Sequence, residues 1–372
     1  MMLTSSQLQL LELLKAGLWS KSVDLTLFEE GKVDWNEMLS LSDQQTILGI
    51  VADAVAELPQ EKRPPKSIYF LMIKRTDELE KENIQMYQTI PSIVNSFYER
   101  GIQVLLLKGQ GVGLCYQNPY RRTTGDVDLF TGLSSDDYEN AKNAFEDLGV
   151  KTIEEIPSKK HSEYSVDGMK VELHGDIRLT VSKQFDGRFR EWMEKCLTEE
   201  AVVIKKAGGT NQIFLPPYRF DAIFIFAHAL NHYMTSGLGL RQLCDWMCYL
   251  SKNHEKINQD KLVEDLDYLG LTKFWKCFAV LAVERLGMEK ELMPLYDDKY
   301  SAYKDKLLSH IFSTGNFGYL QRKKQNIHDM KFWKKLKTFY GQLFLYWDNL
   351  LLFPKETLHC FKYFVIKNIK EY

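Results

Sequence analysis

The chain has 372 residues, with 48 Lys and Arg against 50 Asp and Glu, and 45% of its residues are hydrophobic. The near-neutral balance argues against a general polyanion binder, and the length and apolar fraction suffice for two or three packed domains. Six cysteines (115, 196, 244, 248, 277 and 360) are scattered without a CxxC pair, which fits a reducing compartment better than a disulfide framework.

The opening MMLTSSQLQLLELLKAGLW lacks a basic n-region, and the chain holds no run of about 18 apolar residues able to span a bilayer. The expectation is a cytoplasmic protein without a transmembrane segment. Residues 1–100 read as a helical region. SSQLQLLELLKAG has a serine cap and a closing glycine, and SDQQTILGIVADAVAEL repeats the pattern with Ser42 or Asp43 as its cap. EKRPPKS is a break, and Ile68 to Arg100 again shows helical periodicity, closed by Gly101.

The texture changes at residue 101, where a core spanning 101–210 is expected. IQVLLL is short, apolar and fit for a buried strand. Gly109, Gly111 and Gly113 follow, then LCYQ as a short helix, and DVDLF as a second strand. SSDDYENAKNAFEDLGV reads as an amphipathic helix, and SEYSV-DG-MKVELH as a hairpin, since Asp-Gly between alternating runs is the strongest short-range hairpin signal. From 211 to 372 helices return. The expected fold class is α+β: a small mixed β-sheet core flanked by N-terminal and C-terminal helical regions.

Asp126 and Asp128 flank a lone valine and share a strand face. Two like charges side by side repel, so a positive partner is expected. In the hairpin, Met169, Val171 and Leu173 alternate with Lys170, Glu172 and His174, so Glu172 should stand on the polar face. If the two strands are neighbours, three carboxylates converge, a density of hard oxygen ligands that suits Mg²⁺. Two such ions would clamp the attacking and leaving oxygens of a phosphoryl transfer. Both aspartates are then expected to face solvent. The bland alternative is a solvated strand edge. The context favours the metal: a strand ending in Lys108-Gly109 before a helix start is a phosphate cradle, and Arg121 and Arg122 add cationic charge.

The combination LLLKGQG, RRTTGDVDLF, VELH, FAHALNHY and GLRQLCDW resembles the uncharacterised bacterial nucleotidyltransferases of the DNA polymerase β-like superfamily. Lys108, Gly109, Tyr116, Arg122, Gly125, Asp126, Asp128, Glu172, His174, His228, Arg241 and Asp245 fit that pattern. The resemblance implies a nucleotidyltransferase core, two Mg²⁺ (or Mn²⁺) ions on Asp126 and Asp128, and Glu172 as third carboxylate and candidate base. It implies transfer of an NMP group from an NTP such as ATP to a hydroxyl-bearing acceptor. The phosphate turn departs from the usual Gly-Ser: here it is Gly109-Gln110, with the glutamine amide expected to donate in place of the hydroxyl.

His228 and His232 share a helix face, as do Arg241 and Asp245. The first pair is expected to pack or to face substrate. The second reads either as a structural ion pair or as a phosphate-binding arginine held by its aspartate. His174 either orients Glu172 or contacts the acceptor. Cys244 and Cys248, one turn apart with His254 beyond, read as core thiols rather than metal ligands. The basic aromatic stretch QRKKQNIHDMKFWKKLKTFYGQLFLYW is either a solvated helix face or a patch for nucleic acid or membrane surface. The acceptor is a small molecule, a protein or RNA. The alternatives to an active transferase are a non-catalytic nucleotide- or partner-binding protein on the same fold, and a toxin-like transferase acting on tRNA or protein.

Overall fold

A computed structural model describes residues 3–29, 31–132, 135–157, 160–206, 211–316, 346–347 and 349–370. The basic aromatic stretch lies outside these residues except at its end. The fold is the expected α+β arrangement, a mixed sheet between helical regions.

Four helices precede the sheet: α1 (Ser5–Trp19), α2 (Trp35–Gln44), α3 (Leu48–Ala56) and α4 (Lys66–Tyr98). The cap of α1 is Thr4, which forms a reciprocal capping box with Gln7. Asp34 caps α2 by accepting from the backbone N–H groups of Asn36 and Glu37. The helix expected from Ser42 onward is in fact two. Ser42 lies inside α2 and donates to the Met38 carbonyl, and the chain breaks at Thr46, where φ is 54°, before α3 begins. The break places Thr46 on the wall of the cavity described below.

The sheet has the order β1-β2-β5-β4-β3, with β1 (Leu105–Leu107), β2 (Val127–Phe130), β3 (Thr152–Ile156), β4 (His161–Val166) and β5 (Met169–His174). Only the β2–β5 pairing is parallel. The Asp-Gly hairpin forms as expected: Asp167 and Gly168 both take positive φ (50° and 79°), and Val166 pairs with Met169. Val171 and Leu173 face the core at 0% exposure, which sends Glu172 and His174 to the other side. The helix α6 (Ser135–Asp147) packs its Phe145 ring between Phe97 of α4 and Tyr164 of β4.

The short helix after β1 is α5 (Gly109–Gly113), built on the glycines themselves rather than on LCYQ. Close approach explains Gly113: a Cβ there would stand 2.3 Å from the Tyr87 hydroxyl. After α7 (Lys183–Glu199) comes an unanticipated second hairpin, β6 (Val203–Lys206) and β7 (Gln212–Leu215). It carries sheet structure past residue 210 and packs against α4 and β1. The helices α8 (Tyr218–Thr235), α9 (Leu240–Asn253), α10 (Gln259–Leu269), α11 (Thr272–Glu284) and α12 (Lys304–Thr314) follow, and the last described helix is Pro354–Lys370. Cys244 and Cys248 are buried free thiols, as expected. The buried apolar faces of all three regions join one core. Among the described residues, no helix is long and apolar enough to cross a membrane.

Gly49 shows how tightly α3 seats against the loop before β2. A Cβ at this position would lie 2.3 Å from the Arg121 carbonyl oxygen and 2.9 Å from Leu79 Cδ2. Gly→Ala inside a helix ordinarily gains about 1 kcal/mol, whereas overpacking against fixed backbone costs about 1–3 kcal/mol. Gly49→Ala is therefore expected to lower stability in urea denaturation. A stabilised variant would contradict this packing.

Candidate active site

The parallel register of β2 and β5 decides the geometry. Asp128 pairs with Glu172 and Val127 with Val171, so the two acids stand side by side on one face while the valines enter the core. Asp126 has the same parity, one residue ahead of the strand. The strands are thus neighbours, and Asp126, Asp128 and Glu172 line one cavity of about 290 Å³ together with Lys108, Gly109, His228 and Arg241. A larger cavity of about 760 Å³, between α1, α3 and the Tyr116–Asn118 stretch, contains none of these acids. Chemistry rather than size picks out the site.

Asp128 is not solvent-facing. It is 4% exposed, with Lys108 Nζ 3.2 Å from Oδ2 and His174 Nε2 3.0 Å from Oδ1. The reason is its place in the second strand of the sheet, opposite Leu107 of β1. Burial alone would raise the Asp128 carboxyl, but Lys108 and His174 hold it below the usual range. Glu172 Oε1 accepts from Lys170 Nζ at 2.7 Å, and Oε2 lies 3.2 Å from His161 Nε2 and 3.5 Å from His174 Nε2. Against the cost of burial, hydrogen bonds from His161, His174 and Lys170 keep Glu172 ionised. Asp126 is exposed, 3.7 Å from Lys170, and burial and then the neighbouring Glu172 charge raise its carboxyl. The cations facing the like charges are therefore Lys108, Lys170 and His174.

Lys108 holds its position through its backbone. It precedes α5 with φ 38° and ψ −141°, a conformation side-chain-bearing residues adopt at a cost of order 1–3 kcal/mol. Its ammonium also lies 3.1 Å from His228 Nε2. His228 in turn is 3.3 Å from His232 Nε2. Burial and then Lys108 push His228 well down, and burial pushes His232 down to about 3. Both rings are neutral, and His228 Nε2 accepts from the lysine.

Three expectations need correction. Asp245 does not hold Arg241. It binds Arg122 through two hydrogen bonds, Nε to Oδ1 at 2.7 Å and Nη2 to Oδ2 at 2.9 Å, and accepts from the Tyr116 hydroxyl at 2.7 Å. Arg122 is thus engaged and 4% exposed, with only part of its surface on the cavity. Arg241 instead donates through Nη1 to the carbonyls of Thr123 and Thr124, while its buried Nε has no hydrogen-bond partner among the described residues. Helical spacing puts Arg241 and Asp245 on one face, but it is the Arg122 guanidinium that lies against both Asp245 oxygens, while Arg241 is turned to the Thr123 and Thr124 carbonyls. Gln110, finally, does not face the cavity. It is 2% exposed and its amide reaches Asn83 Oδ1 and Met86 Sδ of α4.

Sequence reasoning missed His161, although the hairpin carried the signal. Once the Asp-Gly turn pairs Val166 with Met169, counting back places His161 opposite His174. It also missed Asn83, whose amide donates to the carbonyls of Tyr120 and Arg122.

A family model described as an uncharacterised nucleotidyltransferase matches residues 31–287. That span is more than half of the chain, and the chain belongs to this nucleotidyltransferase family. Membership supports a transferase that uses an NTP. No curated protein and no solved structure matches the chain.

The charge cluster has a pH signature. Burial lowers His174, but Asp128 and Glu172 outweigh it and raise the imidazole above its ordinary value. The stabilisation it contributes is full below the ordinary histidine value of about 6.5 and is lost as pH rises through the raised folded value. Asp128 and Glu172 shift the opposite way, so their contribution is lost only as pH falls through their lowered values. In metal-free protein, the stability difference between wild type and His174→Gln is expected to shrink as pH rises from about 6.5. Urea denaturation across neutral and mildly alkaline pH measures it. A constant difference would mean that His174 carries no proton for these acids.

Proposed function

We propose that this cavity transfers an NMP group from an NTP to a hydroxyl-bearing acceptor, with Asp126, Asp128 and Glu172 as the acidic set. The observation that carries the reading is the β2–β5 register, which sets Asp128 beside Glu172 with Asp126 on the same cavity wall. The donor set fits a hard divalent ion: three carboxylates edge a space with room for water and phosphate oxygens. When bound there, Mg²⁺ or Mn²⁺ neutralises charge on the phosphates and polarises the α-phosphoryl group.

The chain's own residues do the rest. Lys108, Gly109 and Arg241 line the cavity beside the acids. The unpaired Arg241 Nε is a buried donor suited to a phosphate oxygen, since an anion would satisfy it. Gly109, with φ 48°, lets backbone approach the triphosphate closely. Arg122 acts at one remove, because Asp245 fixes it, and Gln110 takes no part. The acceptor oxygen bonds to the α-phosphorus as the bond to the bridging oxygen breaks, and pyrophosphate leaves. The hydroxyl proton passes to a carboxylate of the set.

The test is incubation with each NTP labelled at the α-phosphate, Mg²⁺ and cell extract as acceptor source. Asp126→Asn and Asp128→Asn are expected to lower label transfer by at least about a hundredfold, in line with loss of a charge-stabilising group. Asp126→Asn should leave stability intact or slightly raised, since it relieves repulsion from Glu172. Asp128→Asn should cost stability, because it unpairs Lys108 and His174. Arg241→Ala should lower transfer far more than stability. Near-normal turnover in either aspartate variant would overturn the two-ion reading.

A further inference from the structure

Glu172 has two oxygens, and they face different surroundings. Oε1 is turned to Lys170 and the Asp126 side. Oε2 is turned the other way, to His161 and His174. Among the described residues, His161, Glu172 and His174 form the group whose ligand atoms all lie within 4.8 Å of one another. We propose that these three residues bind a divalent transition-metal ion of the imidazole-preferring class, such as Zn²⁺ or Co²⁺, at a site that adjoins the hard-ion site on Asp126 and Asp128 and shares Glu172 with it through the other carboxylate oxygen.

Donor chemistry supports the choice of ion. Two imidazoles and one carboxylate suit Zn²⁺ and Co²⁺, whereas Mg²⁺ takes oxygen ligands. Geometry agrees. Metal–ligand bonds of about 2.0–2.1 Å arranged tetrahedrally separate neighbouring ligand atoms by about 3.3–3.4 Å. The Glu172 Oε2 separations here are 3.2 Å to His161 Nε2 and 3.5 Å to His174 Nε2.

The scaffold is rigid. His161 stands directly opposite His174 across the β4–β5 pair, with ring centroids 4.8 Å apart. Glu172 precedes His174 by two residues on the same face. Ligands held on paired strands need little ordering when the ion arrives. All three residues line a second cavity of about 390 Å³, which adjoins the first at Lys108, Asp128, Glu172 and His228 and is walled in part by Ile177, Leu179 and Phe224. Three protein ligands beside an open space leave a coordination position for an oxygen of whatever occupies that cavity. In the absence of an ion these atoms hydrogen-bond to one another, and His174 Nε2 also meets Asp128 Oδ1 at 3.0 Å, a contact that the ion would replace; hydrogen bonding alone is the competing account. The inference does not depend on nucleotidyl transfer, because it rests on ligand type and spacing alone.

The test is a Co²⁺ titration of the metal-free full chain, followed by visible absorption and by calorimetry. Wild type should bind one Co²⁺ with the intense visible bands of a tetrahedral site. His161→Ala should lose those bands and weaken the imidazole-site affinity by at least about tenfold, while the thermal shift given by Mg²⁺ with NTP is kept. His161→Cys, which restores a ligand, should recover Co²⁺ binding and add a thiolate-to-metal absorption, so the proposal stays testable if the alanine variant folds poorly. Absence of tetrahedral bands in wild type, or equal Co²⁺ affinity in wild type and His161→Ala, would overturn the site and leave the histidines as hydrogen-bond partners of Glu172.

Discussion

The Arg122–Asp245 pair fastens helix α9 to the loop that leads into β2. Both charges are buried, so each depends on the other. Removing one partner from such a pair costs about 3–5 kcal/mol, because the remaining charge is left without compensation. The same short loop is clamped along its length. Arg121 reaches Asp53 of α3 and Glu80 of α4. Asn83 of α4 donates to the carbonyls of Tyr120 and Arg122. Thr123 Oγ1 donates to the Thr46 carbonyl, and Arg241 of α9 donates to the Thr123 carbonyl. The helical regions on both sides thereby fix where β2 begins, and with it the position of Asp126 and Asp128.

From that constraint follows the electrostatics of the site. Strand parity forces three acids onto one face, and the sheet buries one of them. The fold answers with three cations from two elements: Lys108 after β1, and Lys170 and His174 from β5. A strained backbone at Lys108 and the neutral His228 keep the ammonium beside Asp128. The cavity therefore carries both signs of charge in close order. That arrangement suits a ligand that is itself polyanionic and accompanied by metal ions.

Much of this was legible in the sequence because it depends on local rules. Strand period placed Asp126, Asp128 and Glu172 on polar faces, the Asp-Gly pair fixed the hairpin, and the apolar run at Leu105–Leu107 marked β1. The partners of Asp245 and Gln110 were not legible. Helical spacing shows that Arg241 and Asp245 share a face of α9, but not that Arg122, far away in sequence, arrives with a better geometry. The Gln110 side chain turns to α4 because Asn83 and Met86 wait there, and no local pattern joins residues so distant along the chain. The break between α2 and α3 was hidden for a related reason. Apolar residues continue through it at helical spacing, and the loop before β2 is what packs into the gap.

The central claim is that the acids at the start of β2 and on β5 hold the metal–triphosphate complex. Crystals containing Mn²⁺ and a non-hydrolysable NTP analogue test it most directly, because anomalous scattering locates the ions without reference to activity. The account predicts Mn²⁺ against Asp126 and Asp128, with the triphosphate running between Lys108 and Arg241. Ordered nucleotide and Mn²⁺ lodged away from these aspartates, for instance in the cavity between α1 and α3, would contradict it.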